Sequence, residues 1–185
     1  MTDQIMQDGK RRMEEVIAAT KRAFSGVRTG RANPALLDRI MVSYYGTPTP
    51  LNQMASVSVP EPRLLVITPW DKGSIKDVEK AILTSDLGLM PSNDGTVIRL
   101  AIPTLTEERR KELVKLVRKD AEEHRVAVRN IRRDLNDAVK KLEKSGDISE
   151  DDSHRVQSEI QEQTDDFISQ IDELLKAKEK EIMEV

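Results

Sequence analysis

The sequence predicts an α+β protein, a long three-helix bundle that carries an inserted small α+β (β-rich) domain. All eight prolines lie between residues 34 and 103, and proline disrupts helix interiors because it lacks a backbone donor. The flanking segments repeat apolar residues every three or four positions, as amphipathic helices do. The middle has short runs rich in β-branched residues, punctuated by glycine or proline. Residues 1–30 and 105–185 are therefore assigned to the bundle and residues 31–104 to the insert.

Three helices account for the flanking segments. The first occupies most of residues 1–30, the second begins after Thr106 and ends near Gly146, and the third starts at residues 149–152. The second helix is predicted to bury a seam at Val117, Ala121, His124, Val128, Ile131, Leu135, Ala138 and Leu142. Long amphipathic helices can bury such stripes only against one another, which predicts the bundle.

The insert is predicted to contain four strands and one helix. The strands lie at residues 40–45, 55–59, 64–68 and 96–102, and the helix lies at residues 74–85. The two connections between insert and bundle are short, so they permit bending without free rotation. These connections predict a two-stranded hinge at Gly30, Ala32, Pro103, Thr104 and Leu105.

The composition excludes several classes of protein. The chain has 185 residues, of which 34% are charged and 3% aromatic, and its formal net charge is −3. It has no cysteine, which excludes disulfides, thiolate metal sites and cysteine nucleophiles. No apolar run approaches the roughly 20 residues that span a bilayer, and the N-terminus lacks the pattern of a signal peptide. We therefore expect a cytoplasmic protein with no membrane segment, metal site or cofactor.

The near-neutral total conceals a separation of charge between the second and third helices. Residues 107–144 carry thirteen basic and nine acidic side chains, whereas residues 145–185 carry four and thirteen. On a helical wheel, basic residues of the second helix form a stripe within about 60° of Arg118, apart from the apolar seam. The stripe comprises Lys111, Lys115, Arg118, Arg125, Arg129, Arg132, Arg133 and Lys140. Guanidinium groups suit phosphate because their planar fork can bind two oxygens at once.

The sequence leaves two explanations of this stripe open. Basic faces of bundle helices are commonly solvated or paired with acids of an adjoining helix, and residues 149–185 supply such acids. Phosphate recognition is favoured instead by four arginines of the stripe clustered within nine positions. These four are Arg125, Arg129, Arg132 and Arg133. A second basic cluster, Arg28 and Arg31, lies at the predicted hinge.

Two stretches of the chain resemble the signature stretches of the bacterial ribosome recycling factor family. They are residues 126–134 (VAVRNIRRD) and 27–32 (VRTGRA). Residues 44–48, 86–89 and 105–110 are also similar, and all five stretches occur in the order that the family shows. The resemblance extends over effectively the whole chain.

This resemblance implies a non-enzymatic translation factor with an L-shaped, two-domain form. Such factors bind the post-termination ribosome and, with elongation factor G and its GTP, split it into subunits. Initiation factor 3 then keeps the subunits apart. The resemblance implies that the bundle contacts large-subunit ribosomal RNA through Arg28, Arg31, Arg129 and a central Arg132. It also implies that the elongation factor, rather than this chain, binds GTP and pushes the smaller domain.

An enzyme and a helical scaffold are the two alternatives. The only histidines are His124, which falls in the apolar seam, and His154, which lies among acids at a helix start. The sequence has no phosphate-binding GxxxxGK loop, no GxGxxG and no HExxH, so no catalytic residue is predicted. A scaffold would oligomerise through exposed seams, whereas seams that are buried within one chain predict a monomer.

Overall fold

The computed structural model describes residues 1–184 and comprises two compact units. The first unit is formed by residues 1–28 and 107–184, and the second by residues 29–106. These bounds lie two residues from the predicted ones, so the predicted hinge residues Gly30, Ala32, Pro103, Thr104 and Leu105 fall inside the second unit. A hinge at these residues stays a prediction.

Four helices and six strands account for most of the described chain. In chain order they are α1 (Thr2–Ser25), β1 (Met41–Tyr44), β2 (Thr47–Pro50), β3 (Ala55–Glu61), β4 (Leu64–Pro69), α2 (Ile75–Thr84), β5 (Pro91–Asn93), β6 (Ile98–Ala101), α3 (Glu107–Ser145) and α4 (Glu150–Met183). The predicted α+β class, with a three-helix bundle and an inserted β-rich domain, is confirmed.

The bundle unit consists of α1, α3 and α4, and each of these helices packs against the other two. The buried residues of α3 follow the predicted apolar seam. They are Leu113, Val117, Ala121, Val128, Ile131, Leu135 and Val139. His124, Ala138 and Leu142 were also predicted in the seam, and they lie half-buried at its flanks. The apolar stripes of the three long helices are therefore used to pack against one another.

Close approach of the helices depends on Gly9, a buried residue in the middle of α1. A Cβ atom at this position would overlap Cδ1 of Leu135 and would lie 3.3 Å from Oε1 of Gln163. Glycine costs about 1 kcal/mol relative to alanine inside a helix. Its presence here is explained by the side chains of α3 and α4 that fill the space beside α1.

A tight turn joins α3 to α4 and fixes their relative register. Gly146 adopts a φ of +81°, a left-handed conformation that glycine accepts without steric cost. The amide of Asp147 donates to the carbonyl of Leu142 at 2.9 Å, closing the end of α3. The hydroxyl of Ser149 then accepts from the amide of Asp152 at 3.0 Å and caps α4, which starts where the sequence predicts a helix start.

The second unit is built on an antiparallel sheet of order β3-β4-β6-β5, with β1 and β2 forming a separate hairpin. Leu65 of β4 pairs with Leu100 of β6, and Ile67 pairs with Ile98. These four side chains are buried and share one core with Val78 and Ile82 of α2 and with residues of β1. The unit therefore has a hydrophobic core of its own.

Two strands were missed by the sequence analysis, β2 and β5. Strand β2 contains Pro48 and Pro50, and β5 begins at Pro91. Each strand pairs with a single neighbour, so proline costs no ladder hydrogen bond on the open side. Strand prediction failed because proline was treated only as a boundary signal, whereas it is compatible with the edge of a sheet.

We predict that Gly146→Ala destabilises the bundle by about 1 kcal/mol, because an L side chain is strained in the left-handed region. Gly26→Ala is the matched control, since Gly26 ends α1 with φ −75° and has room for a Cβ. We expect this control to be neutral or stabilising. Urea unfolding followed by helical circular dichroism measures both changes, and an equal loss in the two variants would contradict the assigned turn.

Candidate nucleic-acid interface

The arginine stripe of α3 borders its contact with α4. Arg118, Arg125 and Arg132 are spaced by seven residues, which is close to two helical turns, so they lie in one row. All three side chains reach across to α4, where their partners are Glu179, Asp172 and Gln161. Because the two helices run antiparallel, the partners descend in number as the arginines ascend.

The first two arginines of this row are neutralised by carboxylates. Arg118 forms an ion pair with Glu179. Arg125 pairs with Asp172 at 2.7 Å and with Glu122 at 3.0 Å, and its side chain is only 19% exposed. Burial alone would lower the pKa of Arg125, but the hydrogen bonds that Arg125 donates to the carboxylates of Asp172 and Glu122 outweigh burial and raise the pKa. Arg125 therefore acts as a cross-link between α3 and α4.

Arg129 shares its carboxylate partner with Arg125. It lies 3.1 Å from Oε1 of Glu122, and its side chain is 40% exposed. Hydrogen bonds from Arg125 and Arg129 lower the pKa of Glu122, which keeps this carboxylate ionised. Glu122 thus contributes one negative charge to two guanidinium groups, and the exposed Arg129 retains capacity for a further anion.

Arg132 differs from the other two members of its row because its partner on α4 is an amide. Its Nη1 donates to Oε1 of Gln161 at 3.1 Å, and Nε2 of Gln161 donates to Asp165 at 2.8 Å. The Nε atom of Arg132 is buried and has no hydrogen-bond partner. Among the residues that the structure describes, no carboxylate forms an ion pair with Arg132.

The remaining predicted arginines lie at three places. Arg133 follows Arg132 on α3 and is exposed. Arg28, also exposed, follows the end of α1. Since Thr20 of α1 contacts His124 of α3, antiparallel packing puts Arg28 roughly 20 Å along the bundle from Arg129. Arg31 is exposed and belongs to the second unit. The structure thus gathers Arg125, Arg129, Arg132 and Arg133 on one helix, with Arg28 farther along the same unit.

The two explanations left open by the sequence each account for part of the stripe. Pairing with the acidic helix explains Arg118 and Arg125, whose guanidinium groups are committed to α4. It does not explain Arg132 or Arg133. A guanidinium without a carboxylate partner can receive a phosphate without first breaking an ion pair, and the fork geometry favours two phosphate oxygens. Among the described residues, Arg132 and Arg133 are therefore the arginines of the stripe that can receive a phosphate in this way, and Arg129 beside them shares Glu122 with Arg125.

Neither histidine belongs to a catalytic arrangement. His124 is half-buried, and its Nδ1 lies 2.8 Å from the hydroxyl of Thr20, which itself donates to the carbonyl of Val16. A hydroxyl has one proton, so Nδ1 of His124 is the donor in this contact. His154 is exposed on α4, 3.6 Å from Glu150. In residues 1–184 no cluster of metal-ligating side chains occurs, and no helix is long and apolar enough to cross a membrane.

Gln161 was not predicted from the sequence, although the sequence contains a signal for its neighbourhood. In an antiparallel helix pair, residues equally distant from the connecting turn face each other. Counted from the turn at residues 146–149, Glu179 and Asp172 lie two residues farther out than Arg118 and Arg125, so the observed register is offset by two residues from this rule. The same offset indicates Asp165 for Arg132, and the side chain of Gln161, one helical turn from Asp165, contacts both.

Comparison with known proteins finds that the chain is similar to ribosome recycling factors. The model of the family described as ribosome recycling factor matches residues 20–183. The ribosome-recycling factors of Brevibacillus brevis (strain 47) and Bacillus subtilis (strain 168) are each 59% identical to this chain. That of Halalkalibacterium halodurans is 60% identical. Each match covers 100% of both chains, and the resemblance found in the signature stretches is confirmed.

Solved structures give the same result. A solution structure of the ribosome recycling factor is 42% identical, with a TM-score of 0.77, covering 100% of this chain and 98% of the other. A second match is a set of models for the T. thermophilus ribosome recycling factor and the E. coli elongation factor G bound to the E. coli post-termination complex. Its matching chain is 48% identical, with a TM-score of 0.65 and full coverage of both chains.

We predict that Arg125→Ala lowers the free energy of unfolding by about 1 kcal/mol, because it removes an inter-helix ion pair and a packed aliphatic stem. Arg133→Ala removes the same charge from an exposed position on α3, and we expect a change below about 0.5 kcal/mol. Chemical unfolding of the two variants measures the difference. Equal losses would show that Arg125 does not link α3 to α4.

Proposed function

The chain belongs to the ribosome recycling factor family, and on this basis we propose that it binds the post-termination ribosome through its helical bundle. With elongation factor G and GTP, it then promotes dissociation of the ribosome into subunits that re-enter translation. The family is one of non-enzymatic translation factors, so the chain is not an enzyme, as the sequence predicted. Its place of action is then the cytoplasm, where ribosomes work.

The observation that supports this function most directly is the state of Arg132. Its guanidinium is ordered by Gln161 and has no carboxylate partner among residues 1–184. We assign Arg129, Arg132 and Arg133 to contact with phosphates of large-subunit ribosomal RNA. Arg125 contributes indirectly in this proposal, because its ion pair with Asp172 holds α3 against α4. Such contacts release counterions, so binding weakens as the salt concentration rises.

Arg28 and Arg31 extend this proposed RNA surface beyond α3. Arg28 belongs to the bundle unit and Arg31 to the second unit, so each unit supplies one exposed guanidinium close to the chain connection. Contact of both with RNA would link attachment of the bundle to the position of the second unit. This proposal agrees with the hinge predicted at Gly30, Ala32, Pro103, Thr104 and Leu105.

Elongation factor G is the proposed partner of the second unit. The models that include a 48% identical recycling factor place that protein with elongation factor G on a post-termination complex. In our proposal the elongation factor hydrolyses GTP and moves the second unit, and initiation factor 3 acts afterwards on the separated subunits. The protein works as a monomer, because the apolar seams of α1, α3 and α4 are used within one chain.

Arg132→Ala is predicted to weaken binding to large ribosomal subunits by about tenfold or more, because charge-assisted hydrogen bonds contribute about 1.5–3 kcal/mol. Arg11→Ala is the matched control, since Arg11 is exposed on α1 and pairs with Asp8 and Glu15 of its own helix. Sedimentation of each variant with large subunits at several salt concentrations measures the loss. The slope of log affinity against log salt should fall by about 0.9 for one lost phosphate contact.

Thermal unfolding separates this effect from misfolding. We expect Arg132→Ala to change the free energy of unfolding by less than about 0.5 kcal/mol, as surface substitutions usually do. A variant that unfolds but shows no selective binding defect would assign Arg132 a structural role. If Arg11→Ala weakened binding equally, the loss of affinity would result from the change in net charge alone, and this would contradict the proposed interface.

A cross-link between the two units is predicted to preserve ribosome binding and abolish subunit splitting, because splitting requires movement at the hinge. The chain has no cysteine, so one cysteine introduced in each unit gives a defined cross-link. The measurement is splitting of post-termination ribosomes with elongation factor G and GTP. A cross-link within the bundle unit is the control, and undiminished splitting by the inter-unit cross-link would contradict the hinge.

A further inference from the structure

The three arginines in the row on α3 can be compared by the side chains of α4 that they contact. Arg118, Arg125 and Arg132 occupy equivalent positions, each separated by seven residues, and each meets a side chain of α4. The first two partners are the carboxylates of Glu179 and Asp172, and the third is the amide of Gln161. The exposure of the side chains differs along the row, at 63% for Arg118 and 19% for Arg125, and Arg132 is the member whose partner on α4 carries no charge.

The orientation of the Gln161 amide is fixed from both ends. Its oxygen accepts from Nη1 of Arg132 at 3.1 Å, and its nitrogen donates to Oδ1 of Asp165 at 2.8 Å. A guanidinium has only donors and a carboxylate only acceptors, so neither contact survives if the amide is turned over. Gln161 therefore holds one N–H donor of Arg132 and one carboxylate oxygen of Asp165, and its amide bridges the two side chains.

This arrangement orders the guanidinium without cancelling its charge. Nε of Arg132 is buried and Nη1 is held by Gln161, so the side chain does not sample the rotamers of a free surface arginine. Ordering a long side chain in advance reduces the entropy lost when a ligand binds. A carboxylate at position 161 would order Arg132 equally well, but it would neutralise the charge that a phosphate requires.

We propose that Gln161 is a positioning residue, which holds Arg132 in place and keeps Asp165 from neutralising it, so that Arg132 presents a full positive charge to RNA phosphate. The inference rests on the proposed function, because it assumes that Arg132 contacts ribosomal RNA. It adds a residue of α4 to an interface otherwise formed on α3. Gln161 itself touches no RNA in this proposal.

Gln161→Glu tests the claim about charge. The new carboxylate pairs with Arg132, and we expect affinity for large ribosomal subunits to fall by about fivefold, the equivalent of an exposed ion pair near 1 kcal/mol. Gln170→Glu is the matched control, because it makes the same change of charge at another exposed position of α4. The control should stay within about twofold of the unmodified protein.

Gln161→Ala tests the claim about Asp165. Without the amide between them, Asp165 can pair with Arg132, so we expect weaker binding in Gln161→Ala. The double variant Gln161→Ala/Asp165→Asn removes the competing carboxylate, and we expect it to bind more tightly than Gln161→Ala. A merely structural role for Gln161 would not give this rescue. The double variant also keeps the test decisive if Gln161→Glu fails to fold.

All variants are measured as full-length protein against large ribosomal subunits over a range of salt concentrations, beside the unmodified protein and Arg132→Ala. Weakening in Gln161→Glu that exceeds the Gln170→Glu control, together with the rescue, supports the inference. Affinity of Gln161→Glu equal to that control, or a double variant no better than Gln161→Ala, overturns it. If the unmodified protein shows no salt-dependent binding, or Arg132→Ala binds as tightly as that protein, the proposed function itself fails.

Discussion

The antiparallel register of α3 and α4 is the constraint on which the rest of the bundle depends. Gly146, in its left-handed conformation, and the Ser149 cap reverse the chain within a few residues. Once the turn is set, every residue of α3 has a defined neighbour on α4. The same register brings the apolar seams together and decides which arginines meet carboxylates. The turn between α3 and α4 thus determines both how the core of the bundle packs and which charged side chains meet at its surface.

The charge balance of the protein follows from this register. The net charge of −3 suggests a poor ligand for RNA, yet the carboxylates of α4 are not spread evenly over the basic helix. Glu179 and Asp172 neutralise two arginines, whereas Gln161 leaves the third uncancelled. Within the row of Arg118, Arg125 and Arg132, the charge without a carboxylate partner is thereby left at Arg132. An uncompensated charge at a fixed place on the helix favours an approach of phosphate to that place.

The helices could be predicted because their signals are local in the sequence. Contacts between residues that are distant in the sequence could not be predicted. The seam of α3 was predicted from its period, and the start of α4 was predicted because its signal lies within the four residues 149–152. Strand β2 was missed because Pro48 and Pro50 suit an edge that only the folded sheet reveals. The arginine stripe was placed on the correct helix, but a helical wheel shows azimuth and says nothing of the side chains that an adjoining helix brings. Gln161 was invisible for that reason.

The discontinuous bundle has a consequence for how the protein is made. Helix α1 ends at Ser25, and its packing partners begin at Glu107, about 80 residues later. Translation proceeds at about 5–20 residues per second, so α3 begins on the order of 4–16 s after α1 is made, and the end of α4 at Met183 follows about as long after that. An amphipathic helix gains most of its stability from the packing of its apolar face, while the second unit is continuous in sequence and can close as soon as it has emerged. The N-terminal helix is therefore synthesised first and folds last, and its apolar face stays without a partner from its own nascent chain until the C-terminal hairpin is complete.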